Sequence, residues 1–91
     1  MKDRNRIDTS HYSNGNRSYE IPYVNDKAHG LEIWWHKNGN RSSETPLVND
    51  QRYGLAIWWH DNGNKRWEIP YKNNLEHGSK IEFNYLKPFG I

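Results

Sequence analysis

Three glutamates, Glu20, Glu44 and Glu68, recur at a step of 24 residues beside Arg17, Arg41, and Lys65 or Arg66. Paired carboxylates can do acid–base work, one donating a proton while the other accepts. On successive hairpins of a sheet these would lie about two strand spacings (~9.6 Å) apart, which loosely suits an inverting glycosidase pair. Three equivalent positions on an open sheet, however, make no pocket and give no reason for one pKa to move away from the others. Cross-strand ion pairs explain them better. The histidines recur in phase too, His36 with His60 and His29 with His77, while His11 stands apart. No H-x-x-x-H spacing and no cysteine supports a metal site, so turn-packing or solvated roles are expected. No nucleophile triad, phosphate loop or zinc motif is present. Neither enzymatic activity, a cofactor nor a metal is expected.

The other chemistry-bearing residues are aromatic. "IWWHKNGNR" at 33–41 returns as "IWWHDNGNK" at 57–65. Trp34, Trp35, Trp58, Trp59 and Trp67 either form cross-strand ladders or furnish a binding surface, and each ladder contact contributes about 0.2–1 kcal/mol. The chain has 91 residues, 33% hydrophobic, 14% aromatic and 26% charged, which fits one small domain. Its few large side chains must supply most of the burial, at roughly 1.5–3 kcal/mol for a fully buried one. The absence of cysteine excludes a disulfide framework and suits a reducing compartment. "MKDRNRIDTS" has a charged start with no apolar stretch behind it, so no signal peptide and a cytoplasmic location are expected. No apolar run is long enough to cross a bilayer.

A net charge of +2 names no acidic partner. Arg4, Arg6, Arg17, Arg41, Arg52 and Arg66 are diluted by nearly as many acids, so no basic stripe for single-stranded nucleic acid emerges. No polybasic cluster for lipid head groups is present either.

All of these residues obey one period. Asn14-Gly15, Asn38-Gly39 and Asn62-Gly63 are 24 residues apart, as are Pro22, Pro46 and Pro70, and Gly30, Gly54 and Gly78. Ungapped blocks run over 11–34, 35–58 and 59–82, with a truncated fourth behind them. Asn-Gly permits a two-residue type I′ hairpin turn, and "VND…G" reads as a longer polar turn. The segments between are β-branched, aromatic and too short for helices. One hairpin per repeat follows, with strands near 17–23, 30–36, 41–47, 54–60, 65–72 and 79–85. The recurring prolines mark where each strand ends or bulges, leaving about five paired residues per strand.

Centring the turn on Asn62-Gly63 sets Trp59 opposite Arg66, Trp58 opposite Trp67, Ile57 opposite Glu68 and Ala56 opposite Ile69. One face then carries Trp58, Trp67, Ile69 and Tyr71, with Trp34, Tyr19, Ile21, Tyr23 and Leu47 in equivalent places. The other carries Leu55, Ile57 and Trp59, with Arg66 and Glu68 alongside, and Ile33, Trp35, Ile81 and Phe83 in phase. The tandem tryptophans thus point to opposite faces, and nothing in the chain covers either.

The pattern "NG…E.PY.N…HG…W" over residues 11–85 resembles the variant MORN repeats (membrane occupation and recognition nexus), found in bacterial proteins of antitoxin-like type. The resemblance implies a single elongated layer of consecutive β-hairpins. "VND" and "KNN" stand where that pattern usually has Asn-Gly, and Ile81-Glu82-Phe83 replaces Ile-Trp-Trp. The expected organisation is an N-terminal extension (1–10), an all-β antiparallel meander of three 24-residue repeats plus a partial fourth (11–85), and a tail (86–91).

A repeat needs the same contacts between neighbours each time. The strictly phased Ile33/Trp35/Ile57/Trp59 face therefore reads as scaffold. The varied face, with Tyr19, Ser43 and Trp67 at one repeat position, reads as the interface. The candidate partner-binding residues are Tyr19, Trp34, Trp58, Trp67 and Tyr71, with Arg41, Glu44 and Glu68 as polar rims. The expected function is binding and steric blocking of a partner protein: a toxin, or a defence enzyme met by an immunity protein or phage-encoded inhibitor. A homodimer is a further expected partner. The alternatives are a single-stranded nucleic-acid binder and a self-associating structural repeat.

Overall fold

The computed structural model describes residues 4–85. Along the chain these form β1 (Arg6–His11), β2 (Arg17–Val24), β3 (Lys27–Ala28), β4 (Gly30–Trp35) and β5 (Arg41–Val48). There follow β6 (Gln51–Arg52), β7 (Gly54–Trp59), β8 (Lys65–Lys72), β9 (Leu75–Glu76) and β10 (Ile81–Glu82). All pairings are antiparallel, in the order β1-β2-β4-β5-β7-β8-β10, with β3, β6 and β9 extending the hairpin ends on β2, β5 and β8. The Cα envelope measures 63 × 37 × 11 Å, so this is one layer of consecutive hairpins. The sheet begins earlier than the repeat blocks do: residues 6–10, read as an extension, form most of β1, the first strand of a hairpin whose second strand is β2. Between 79 and 85 only Ile81–Glu82 is strand, and the tail 86–91 lies outside the described residues.

The two turn types are exchanged relative to expectation. Asn25-Asp26, Asn49-Asp50 and Asn73-Asn74 all have positive φ (49–71°), making the two-residue primed turns that close β2–β3, β5–β6 and β8–β9. Asn and Asp tolerate this conformation because their short polar side chains bond locally. At Asn62-Gly63 only the glycine has positive φ (94°). There the His60 N–H donates to the Asn64 carbonyl (2.8 Å) and the Gly63 N–H to the His60 carbonyl (3.0 Å), a three-residue loop ending in a bulge. The extra residue shifts the register between Trp58 and Trp59, so Trp59 faces Lys65 and not Arg66. Upstream of the bulge the expected pairs hold: Trp58 with Trp67, Ile57 with Glu68, Ala56 with Ile69.

Each proline stands opposite a second bulge, and its strand runs through it to eight residues, longer than the five expected. Between Leu47↔Arg52 and Glu44↔Ile57, three steps along β5 answer five along the neighbouring chain. The missing proline N–H falls where that displacement has removed its partner, while the Pro46 carbonyl still accepts from the Tyr53 N–H (3.0 Å). Gly54 occupies the bulge at φ +119°, so close that a Cβ there would lie 3.0 Å from Pro46 Cγ.

The conserved spacing of the turns also stitches repeats together. Asn38 and Asn40 amides donate to the Asp61 carbonyl (2.7 and 2.9 Å), as Asn14 and Asn16 do to Lys37 (both 2.8 Å). At the opposite sheet end, Asp50 Oδ1 accepts from the Ala28 N–H (2.7 Å) and Asn74 Oδ1 from the Arg52 N–H (2.7 Å). His36 Nε2 meets the Trp59 carbonyl at 3.0 Å, in the place where the Tyr12 hydroxyl donates to the Trp35 carbonyl. His36 is thus a turn-packing residue. With a core limited to Ala28, Ile33, Leu47, Ala56 and Ile69 among the described residues, these bonds supply much of the repeat-to-repeat coupling, at about 0.5–1.5 kcal/mol each.

Candidate functional site

Because side chains alternate, the register sorts them into two faces. Across the middle of one face runs the row Ser10, Tyr19, Trp34, Ser43, Trp58, Trp67, Glu82, one residue from each of the seven main strands. The same row position on the other face reads Thr9, Glu20, Ile33, Glu44, Ile57, Glu68, Ile81. The first face is varied and aromatic; the second alternates isoleucine with glutamate in strict phase.

On the phased face each glutamate is held by the basic residue three places before it. Arg17 bonds Glu20 and Lys65 bonds Glu68 (both 2.8 Å), and Arg41 bonds Glu44. The bulge turns these bases toward the next aromatic ring: the Arg17 guanidinium lies 5.3 Å from the Trp35 ring and the Lys65 ammonium 5.8 Å from Phe83. This is repeated packing, and the carboxylates form no enclosed pair.

The aromatic face is uncovered. Tyr19 and Trp34 stack with centroids 4.9 Å apart, and Trp34, whose indole N–H donates to Glu32 (2.6 Å), remains 38% exposed. Ser43, small and buried, leaves a cleft of about 320 Å³ between Trp34 and Trp58, with Thr45 on its floor and Glu32 and Arg52 at its sides. Tyr71 lies further along the same face, where Arg52 stacks on its ring (5.1 Å) and donates to its hydroxyl (3.3 Å).

Of the eight residues singled out from sequence, the structure brings Tyr19, Trp34, Trp58 and Trp67 into one row and puts Tyr71 on the same face. Arg41, Glu44 and Glu68 lie on the opposite face, paired within it, so they do not rim the aromatic row. Arg66, expected beside Glu68, is on the aromatic face, its guanidinium 5.9 Å from the Trp67 ring. The loop bulge is the cause: it gives the Glu68 partnership to Lys65 and sends Arg66 the other way. The sequence singles out neither Glu32 nor Lys80, and weighs Arg52 only as one of six diluted arginines. Lys80, 4.6 Å above the Trp67 ring, was detectable as the residue standing where earlier repeats have Glu32 and Ala56.

No group of three or more His, Asp or Glu suited to a metal ion occurs among the described residues, and no helix there is long and apolar enough to cross a membrane. No curated protein and no solved structure matches the chain. Residues 28–49 and 52–73 each match the model of the MORN repeat variant, each match covering one complete hairpin, β4–β5 or β7–β8, up to the first residue of its primed turn. Two stretches of the chain are thus similar to the MORN repeat variant, set within a longer sheet built on the same 24-residue plan.

Proposed function

We propose that this chain is a protein-binding module that docks a partner on its aromatic face and blocks it by steric occlusion. The observation that carries the reading is the row Tyr19–Trp34–Ser43–Trp58–Trp67, laid uncovered across a sheet one layer thick. Large exposed aromatic surfaces mark interaction sites, and Trp, Tyr and Arg dominate binding hot spots. The module works by contact, without chemistry and without a cofactor, inside the cytoplasm. Neutralising a toxin, as the antitoxin-like resemblance implies, is one concrete form. An immunity protein or a phage-encoded inhibitor of a bacterial defence enzyme is another. Affinity capture of the tagged native protein from its source or host cells, followed by mass spectrometry, tests the reading. One enzyme or toxin recovered in stoichiometric amount supports it; recovery of nuclease-sensitive nucleic acid refutes it.

A second partner is favoured by a separate observation. On the phased face Ile7, Leu31 and Leu55 form an aliphatic stripe, opposite Pro22, Pro46 and Pro70, and remain 61%, 39% and 47% exposed. Two copies stacked back to back through this stripe would cover it and leave both aromatic faces free. Sedimentation velocity gives a dimer for the native chain and a monomer for Leu31→Glu on this reading. A monomeric native chain at micromolar concentration refutes it.

A further inference from the structure

In a repeat protein, positions that stack one unit on the next recur, so departures that gather at one place in space mark something other than stacking. Besides Glu82, which replaces Trp34 and Trp58, the third repeat departs at three positions of the aromatic face. Arg66 replaces Ser18 and Ser42, Trp67 replaces Tyr19 and Ser43, and Lys80 replaces Glu32 and Ala56. Folding brings the three together. Lys80 Nζ lies 4.6 Å and Arg66 Cζ 5.9 Å from the Trp67 ring, and both cations line a cleft of about 480 Å³ with Trp58, Ser42 and Ile69, which Trp59 also borders.

Among the described residues, nothing matches the charges in this cleft. Most basic residues on the sheet have a carboxylate or a hydroxyl: Arg4 and Arg6 hold Asp26, Arg17, Arg41 and Lys65 hold glutamates, and Arg52 holds Tyr71. Among the described residues, no carboxylate lies within ion-pair distance of Arg66 or Lys80. Glu82, in register with Trp67, is the nearest acid in the row and makes no ion pair with either. His36 borders the cleft but is engaged with the Trp59 carbonyl.

We propose that this cleft is the anchor point of the aromatic face, taking an Asp or Glu side chain of a partner protein together with the apolar or aromatic residue beside it. The inference rests on the docking face assigned above and names the chemistry it selects. Two cations over an indole wall offer charge-assisted hydrogen bonds to one carboxylate, while Trp58, Trp67 and Ile69 receive the neighbouring apolar group. A nucleic-acid strand fits less well, because its phosphates repeat along the backbone and need a cationic track. Beyond the cleft the row continues through neutral Ser43, Trp34, Tyr19 and Ser10, with Glu32 and Asp8 beside it; Arg52 and Arg6, on the same face, are engaged by the Tyr71 hydroxyl and by Asp8 and Asp26.

The test is selection of a random dodecapeptide phage library on the native chain, repeated on Arg66→Ser/Lys80→Ala and on Trp34→Ala. The double variant installs residues that the second repeat already carries at those positions, Ser42 and Ala56, which keeps the fold. Expected are peptides with Asp or Glu next to an aromatic or aliphatic residue, binding the double variant at least about tenfold more weakly and the native chain less well as salt rises. Failure to enrich any peptide, or an acidic preference that survives in the double variant, overturns the proposal. So does binding of oligo(U) or phosphatidylserine vesicles that depends on Arg66 and Lys80 in place of peptide. Peptides that need Trp34 but show no acidic preference overturn the anchor alone and leave the docking face standing. Peptides indifferent to both variants overturn both.

Discussion

Replacing Gly30 by alanine tests the bulge that lets proline run inside a strand. Gly30 has φ +120°, where L residues are rarely found, and a Cβ would sit 2.9 Å from Pro22 Cγ, inside the closest approach of real carbon contacts. Backbone strain of this kind costs about 1–3 kcal/mol, and forcing a methyl into filled space costs about 1–3 kcal/mol more. Gly30→Ala should therefore lose about 2–6 kcal/mol, a large share of the roughly 5–14 kcal/mol expected for a chain of this length. Gly63 provides the control. Its φ is +94° and nothing lies within 4 Å of a Cβ there, so Gly63→Ala bears only strain, about 1–2 kcal/mol. Adding Pro22→Ala to Gly30→Ala removes the ring and should recover the steric part but not the strain, a coupling of about 1–3 kcal/mol. Urea unfolding followed by tryptophan fluorescence measures the native chain, Gly30→Ala, Gly63→Ala, Pro22→Ala and the Pro22/Gly30 double variant, compared by midpoint at constant slope. Equal costs for Gly30→Ala and Gly63→Ala, or no coupling with Pro22, would refute the packing argument.

Trp59→Ala should destabilise by about 2–4 kcal/mol in the same assay, less than the ~3–5 kcal/mol of a fully buried aromatic because Trp59 is half-buried; an unchanged midpoint would remove it from the scaffold. Asn38→Ala should cost about 1 kcal/mol and speed amide exchange in the 60–64 loop, whose Asp61 carbonyl it bonds; unaltered exchange there would show that the turn amides do not couple repeats. Glu44→Gln should change stability by less than about 1 kcal/mol, since its Arg41 partner is half exposed and surface ion pairs contribute little. A larger loss would mean that the Ile/Glu row is a cooperative network.

The period of 24 made most of the architecture legible from sequence. Once hairpins were in phase, Trp58↔Trp67 and the two faces followed from alternation alone. The prolines marked one bulge per repeat, but the loop bulge was not legible. A one-residue insertion at Trp58/Trp59 reverses which neighbour, Lys65 or Arg66, holds Glu68, and no composition rule distinguishes the two. The turn types were exchanged for a related reason: Asn-Gly suits both a primed two-residue turn and a three-residue loop ending in glycine. The choice lies with the strands, because the Asn62 side chain caps Asn64 (2.9 Å) while the loop also receives the Asn38 and Asn40 amides of the preceding repeat. On the site, the aromatic row was readable because it needs only parity. The true charged neighbours, Arg66 and Lys80, depend on the bulge and on the third repeat's departures, and Arg41, Glu44 and Glu68 were drawn in by regularity that belongs to the scaffold.

The division of labour between the faces is tested most directly by titrating the captured partner against two double variants. Trp34→Ala/Trp58→Ala strips the aromatic row; Trp35→Ala/Ile57→Ala strips the phased face. If the aromatic row is the docking surface, the first variant, destabilised because Trp58 is half-buried, loses partner binding by at least about 2 kcal/mol at a temperature where it is folded, a hot-spot loss. The second is destabilised, yet binds the partner normally at a temperature where it is folded. Native affinity in the first variant, or loss confined to the folded second, would contradict the assignment.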